Sequence, residues 1–279
     1  MGGSEDTPWA FWRHVHDISI SRLFIFKTML LYHCAWLYGS LTDHHKLCLY
    51  SLKKTQTAPF QVIIWTVKGY ETYIQEYCKT IKVDDFVDVR VFDPLVESHG
   101  TPYEGRSGLL FRRGGTLDTD EIRCMVTYKY GGFYFDFDVV WLKDISCLED
   151  REFVYRWSTE NFANTAVMHI KKGSWRGKAI MDRMINIGSP YPPHVFTMEF
   201  CRSLGFEVMP CELFDLGWMP NCDPKIRMTE FFKPLEDADF NVKDFCPHSY
   251  AYHWHNKWDA YIHPESIAGK LFAHFCSDA

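Results

Sequence analysis

No two of the ten cysteines stand close enough for a CxxC pair, which excludes the common zinc ribbons and dithiol redox motifs. None of the six asparagines begins an N-x-Ser/Thr sequon, so nothing marks the chain for N-glycosylation. Basic excess is missing too: Lys plus Arg is 30 against 36 for Asp plus Glu, a net charge of −6, and no whole-chain field exists to attract nucleic acid or an anionic membrane. The opening residues MGGSEDTPWAFWRHVHD lack the basic, apolar and small-residue regions of a signal peptide. Long apolar runs are also scarce. The richest stretch, Leu23 to Leu41, is broken by Lys27 and His33 and falls short of the roughly 20 apolar residues a span requires. Leu23, Leu30, Leu31, Cys34, Leu37, Tyr38 and Leu41 recur at helical spacing, which predicts a buried core helix and no integral membrane segment. No internal repeat or low-complexity tract interrupts the chain.

What is present is ordinary globular material, 47% hydrophobic and 24% charged over 279 residues, with an aromatic share of 17% that suits flat faces for sugars or bases. Residues 14–21 (HVHDISIS) read as a first strand, followed by that helix and a polar turn at 42–46. FQVIIWTV (60–67) reads as a strand, 70–81 as a helix and VDVRVF (87–92) as a strand, and 93–108 is a long loop. A helix begins near Asp118, where Asp118 and Glu121 have capping-box spacing, buries Ile122, Met125 and Val126, and stops at Gly131. FYFDFDVVWL (133–142) is one apolar strand carrying two acids. Beyond it come a strand or loop through FVYRW, a strand at 165–170, helices at 175–187, near 196–204 and at 264–276, and a Pro-rich link at 189–194. Alternating strands and helices predict an α/β fold with a mainly parallel sheet, helices on both faces, and ligands outside the carboxyl ends of the strands. Residues 1–279 read as a single domain.

Asp136 and Asp138, two apart on a strand, share one face, where two carboxylates suit Mg2+ or Mn2+ with positions left for substrate phosphates. The plain alternative is a solvated strand exit. Asp120 and Arg123 share a helix face and are either a surface ion pair or, across the Gly131-Gly132 turn, part of the same pocket. By topology, His16, Ile18 and Ser19 at the end of the first strand form the nucleotide edge. Asn161 or Asn164 offers a sugar contact or is an ordinary turn residue. Trp218 is an acceptor platform or a core ring.

TDEIRCMVTYKYGGFYFDFDVVWLKDI (119–145) resembles the DxD sugar-binding region of the glycosyltransferases that include lactosylceramide galactosyltransferase, yeast Golgi mannosyltransferases and clostridial glucosylating toxins. Thr119, Asp120, Arg123, Tyr130, Gly131, Gly132, Tyr134, Asp136 and Asp138 match that pattern. SYAYHWHNKWD (249–259) is similar to the Tyr-Ala-x-His-x-Trp-Asn-Lys segment of the galactosyltransferase branch, with His255 as an extra residue before Asn256. The resemblance implies a GT-A fold, with a nucleotide-sugar half at about 12–145 and an acceptor half at about 146–279. It implies a retaining transfer from a nucleotide diphosphate sugar, a UDP-sugar by likeness to most members, to a hydroxyl of a glycan, glycoprotein or glycolipid. It further implies that Asp138 ligates Mn2+ or Mg2+ and that Asp136 meets the metal through water or holds hydroxyls. Asp120 and Arg123 would hold the donor sugar, Tyr134 would lie against the nucleotide, and His253 would add a metal or diphosphate contact.

The residues alone leave stereochemistry open: an inverting enzyme needs a carboxylate base, with Glu160, Asp215 and Asp223 as candidates. Two rivals compete. FYFDFDVV fits the first motif of a haloacid-dehalogenase-like phosphatase, with Asp136 as nucleophile and Asp138 as acid/base, although no later acidic pair follows a glycine. A non-catalytic sugar-binding protein is the other, against which both acids stand intact. The expected setting is the cytosol, a host's if the chain is viral, or else a Golgi luminal domain without its anchor.

Overall fold

The computed structural model describes residues 29–111, 115–235 and 240–277; the reading of a strand at 14–21, with His16, Ile18 and Ser19, lies outside them. In chain order the elements are β1 (Leu30–Ala35), α1 (Asp43–Thr55), β2 (Phe60–Thr66), α2 (Glu71–Thr80), β3 (Val87–Val91), α3 (Pro94–Ser98), α4 (Thr116–Tyr130), β4 (Gly132–Phe135) and β5 (Val139–Trp141). There follow β6 (Phe153–Arg156), β7 (Ala163–Ile170), α5 (Trp175–Ile187), α6 (Pro192–Val195), α7 (Met198–Ser203), β8 (Glu207–Met209), β9 (Ala251–His253) and α8 (Ile267–Cys276), with short 3-10 turns between.

The central sheet has seven strands in the order β3-β2-β1-β4-β7-β6-β8, and β5 pairs with β9 in a separate ribbon. β3, β2, β1 and β4 run parallel, whereas β7 is antiparallel to both β4 and β6. Period-2 alternation divides the core into two layers: Tyr32, Cys34, Val62, Ile64, Phe133 and Phe135 face one, and Ala35, Ile63, Trp65, Tyr134 and Met168 face the other. An α/β fold with a mainly parallel sheet is thus what the chain adopts.

Several local expectations are corrected. The helix expected over Leu23 to Leu41 is, from Leu30, strand β1, nearly all of it buried, and a strand buried on both faces shows no alternation that would distinguish it from helix. The polar turn at 42–46 is instead the start of α1, where the Thr42 N–H donates to His45 Nδ1 at 3.0 Å; histidine there replaces the usual Glu or Gln of a capping box. The loop at 93–108 contains α3, capped by Asp93, whose side chain accepts from the Leu95 N–H at 2.9 Å. α4 begins at Thr116 after Gly115, so Asp118 lies inside the first turn and is not its cap.

The run 133–142 is also divided. β4 stops at Phe135 and β5 starts at Val139, so Asp136 and Asp138 occupy the link between two sheets, not one strand face. Gly132, at φ +104°, lies so close to β1 that a Cβ there would collide with the Leu31 carbonyl oxygen, which explains why the turn closing α4 onto β4 has no side chain.

His33 is fully buried; its Nδ1 accepts from Trp65 Nε1 at 3.2 Å and its Nε2 bonds the Gly131 carbonyl at 2.9 Å. His169 Nδ1 bonds the Arg151 carbonyl at 2.6 Å. Burial lowers each to about 4, so between pH 6.5 and 4 the unfolded chain binds protons that the fold refuses, and stability falls with pH. A shift of this size corresponds to about 3 kcal/mol per histidine. We expect the urea midpoint to drop from pH 7 to pH 4.5, and His33→Gln to flatten that slope.

Candidate active site

The carboxyl ends of β1 and β4 lie side by side, since Tyr32 and His33 pair with Phe133 and Tyr134. This is where a parallel α/β sheet opens a crevice. A cleft of about 460 Å3 occupies it, lined by Trp36, Leu37, Tyr38 and Trp258, by Asp120, Arg123, Asp136 and Asp138, and by Asn164, His253, His255 and Asn256. The amino end of β7 enters because β7 is antiparallel to β4, and the Asp136 N–H donates to the Ala166 carbonyl at 2.8 Å.

α4 aims its first turns at the cleft and places Arg123 under it. Arg123 Nη2 stands 3.1 Å from Asp120 Oδ1 and 3.1 Å from Asp136 Oδ1, while Nη1 donates to Thr165 Oγ1 at 2.7 Å. Asp120 and Arg123 are both buried, so the surface ion-pair reading is set aside. Burial pushes Asp120 up to about 7 even with Arg123 opposing it. Asp136 is raised in the same way by burial, against Arg123 and with Asp138 adding to the rise; 27% of its side chain remains exposed to the cleft.

The β5–β9 ribbon sets His253 opposite Val139, and this pairing carries the C-terminal segment to the two acids. His253 Nε2 lies 3.1 Å from Asp138 Oδ2, and the Asn256 N–H donates to that same oxygen at 2.8 Å. Burial alone would raise Asp138, but His253, His255 and the Asn256 N–H hold it down at about 2. Burial would lower His253, yet Asp138 and Asp215 raise it to about 10.

Of the residues singled out in the sequence, Asp120, Arg123, Asp136, Asp138, Asn164 and His253 line one cleft. Tyr134 does not: it is fully buried, with the Arg123 guanidinium 4.9 Å from its ring centroid. Asn161, Glu160 and Asp223 are exposed away from the cleft lining. Asp215 is buried with its carboxylate on His255. Trp218, 38% exposed, packs at 4.4 Å against the ring of His255. Trp36, Tyr38, Trp157 and Trp258 line the cleft without having been anticipated. The first pair follows directly on β1, a segment whose sequence reads as helix.

Residues 21–155 match the family described as glycosyltransferase sugar-binding region containing the DXD motif. This segment carries the sugar-binding region of the DXD glycosyltransferases. That match decides for the transferase over the phosphatase and the lectin, and it spans the elements that supply Asp120, Arg123, Asp136 and Asp138. Among solved structures, the glycosyltransferase GlyE of Streptococcus pneumoniae TIGR4 is similar at 13% identity over 89% of this chain and 60% of that one, TM-score 0.50. Its apo form gives 10% identity, the same coverage and a TM-score of 0.52. At such identities the likeness concerns the fold, which is GT-A, and the chain spans about 60% of the GlyE chain. Mouse xyloside xylosyltransferase 1 is similar at 11% identity over 84% of this chain and 99% of that one, TM-score 0.46. Comparison with curated protein sequences finds no match. No helix among the described residues is long and apolar enough to cross a membrane.

Proposed function

We propose that the protein is a metal-dependent glycosyltransferase that moves a sugar from a UDP-sugar to a hydroxyl of a glycan or glycoconjugate, with retention. The observation that carries this reading is the set of groups gathered in one cleft: the rings of Trp36, Tyr38 and Trp258, two carboxylates and an imidazole, and the Asp120–Arg123 pair. Rings of Trp36 and Trp258 lie 4.8 Å apart and offer flat faces to a nucleobase. Asp120 and Arg123 offer acceptors and a rigid donor fork to sugar hydroxyls.

The central donor set suits a divalent ion. Asp136 and Asp138 are carboxylates whose like charges oppose one another, and His253 stands at hydrogen-bond distance from Asp138; an O, O, N set of this kind fits Mn2+ or Mg2+. When bound, such an ion supplies positive charge against the departing diphosphate. The protein's own part is positional. Arg123 fixes Asp136, the Asn256 N–H and His253 fix Asp138, and both carboxylates are held in place before substrate arrives. The carboxylates that line the described cleft are Asp120, Asp136 and Asp138, each already facing a cation or the metal position, which favours retention with the diphosphate oxygen taking the acceptor proton. Trp218 and Trp157, with centroids 6.2 Å apart, supply ring faces for the acceptor.

Base stacking is worth about 1–3 kcal/mol per ring, so Trp36→Ala should weaken UDP binding about tenfold in isothermal titration. A Trp36→Ala protein that binds UDP as tightly as wild type would place the base elsewhere. A thermal-shift panel of UDP and GDP, each with Mn2+ or EDTA, tests the donor class. The reading predicts stabilisation by UDP with metal, and a response to GDP alone would contradict it.

A further inference from the structure

Beside the two acids stands a second group of ligating side chains, of which His253 and His255 line the same cleft. Asp215 is wholly buried just before the 3-10 turn Leu216–Trp218. Its Oδ1 stands 2.9 Å from His255 Nε2, whereas its Oδ2 is 3.6 Å from His253 Nδ1 and has no hydrogen-bond partner. A buried carboxylate oxygen without a partner is costly. The ligand atoms of Asp215, His253 and His255 all lie within 4.8 Å of one another. Four ligands at about 2.0–2.1 Å from a tetrahedral ion stand roughly 3.3 Å apart, a spacing that the two measured separations bracket. The imidazoles stack with centroids 3.8 Å apart, and Tyr155 Oη is 3.0 Å from His253 Nδ1. Backbone strain is concentrated here: His255 and Asn256 hold φ of 51° and 55°, a region that costs a non-glycine residue energy and is kept where the surroundings impose it.

We propose that Asp215, His253 and His255 form a second cation site, separate from the two acids of the DxD motif. Its two imidazoles and one carboxylate match a late transition ion such as Zn2+, with a water or Tyr155 completing four-coordination. The two sites meet in His253. A neutral imidazole has one lone pair, so ligation through Nδ1 puts the ring proton on Nε2, where it faces Asp138. Zn2+ at the second site therefore withdraws His253 from the DxD site.

The test uses chelator-stripped protein and Zn2+ alone, read by isothermal titration, with the visible spectrum of a Co2+ substitute reporting coordination. An Asp136→Asn/Asp138→Asn protein has no DxD carboxylates, and we expect it still to bind one Zn2+ and to show four-coordinate Co2+ bands. Adding His255→Asn, which tolerates the left-handed backbone, should weaken Zn2+ at least about tenfold, and Asp215→Asn should do likewise. Circular dichroism verifies that each variant is folded, so a failure of one to fold leaves the other to decide. Absence of Zn2+ binding in the Asp136→Asn/Asp138→Asn protein, or binding there that His255→Asn leaves unchanged, overturns the site. A last arm rests on the UDP and metal reading given above: in wild type, prebound Zn2+ should raise the Kd for UDP in Mn2+. Unaltered UDP affinity in protein that does bind UDP with Mn2+ overturns the sharing of His253. Failure of UDP to bind at all contradicts the donor reading and leaves the Zn2+ arms standing.

Discussion

Arg123→Ala should be the most destabilising single change in the cleft, at about 3–5 kcal/mol, because it removes one cation from between two carboxylates and leaves both without their partner. Asp120 is buried and has Arg123 Nη2 as its salt-bridge partner, and the same nitrogen holds Asp136. The guanidinium also donates to Thr165 on β7, so the loss loosens the contact between α4 and the antiparallel half of the sheet. Thermal denaturation would read this as a fall of about 10 °C. The sign of the pH dependence separates charge from packing. Asp120 already sits at about 7, driven by burial against Arg123, and without Arg123 it rises further. A carboxylate whose folded pKa exceeds its unfolded value binds more protons in the fold as pH falls, so the deficit of the variant should shrink between pH 8 and pH 5.5. A deficit that is constant across that range would mean that lost packing, not charge, dominates. Arg123→Lys keeps a charge but not the fork that spans both acids and Thr165, and is expected to recover part of the stability and little donor binding.

Asp138→Asn should abolish metal-dependent nucleotide binding while the protein remains folded. Asp138 is the acid on which the β5–β9 ribbon converges: His253 and the Asn256 N–H both reach its Oδ2, and its own carbonyl accepts from the Trp254 N–H at 3.0 Å. The backbone contact survives substitution, which preserves the ribbon, whereas the anionic oxygen does not. A neutral amide is a poor ligand for a hard dication, so the expected loss is at least about a hundredfold in UDP affinity with Mn2+. The same titration in EDTA should show no difference between variant and wild type. Tight UDP–Mn2+ binding by folded Asp138→Asn would sink the assignment of the metal position.

How much of this was legible in the sequence depended on how local each signal was. Asp120, Arg123, the Gly131-Gly132 turn, Asp136 and Asp138 sit within one helix, one turn, one strand and the link that follows it, so short-range spacing suffices to bring them together. His253 was legible only through its neighbours in SYAYHWHNKWD, because its place beside Asp138 comes from an antiparallel pairing with Val139 that no local pattern encodes. Trp36 was lost with β1. A strand buried on both faces presents Leu30, Leu31 and Cys34 without alternation, and the nucleotide edge read at His16, Ile18 and Ser19 lies outside the described residues. Asp215 appeared as one of three acids available to act as a base, but its approach to His255 depends on a 3-10 turn whose position is set by tertiary packing. α1 was missed because His45, not a glutamate, completes the contact to the Thr42 N–H.

Titration of UDP into the wild-type protein, once with Mn2+ and once with EDTA, tests the central claim most directly. A metal-dependent transferase working in this cleft predicts saturable 1:1 binding with Mn2+ and loss of that binding with EDTA. Equal affinity in the two solutions, in protein shown to be folded, would contradict a metal held by Asp136, Asp138 and His253.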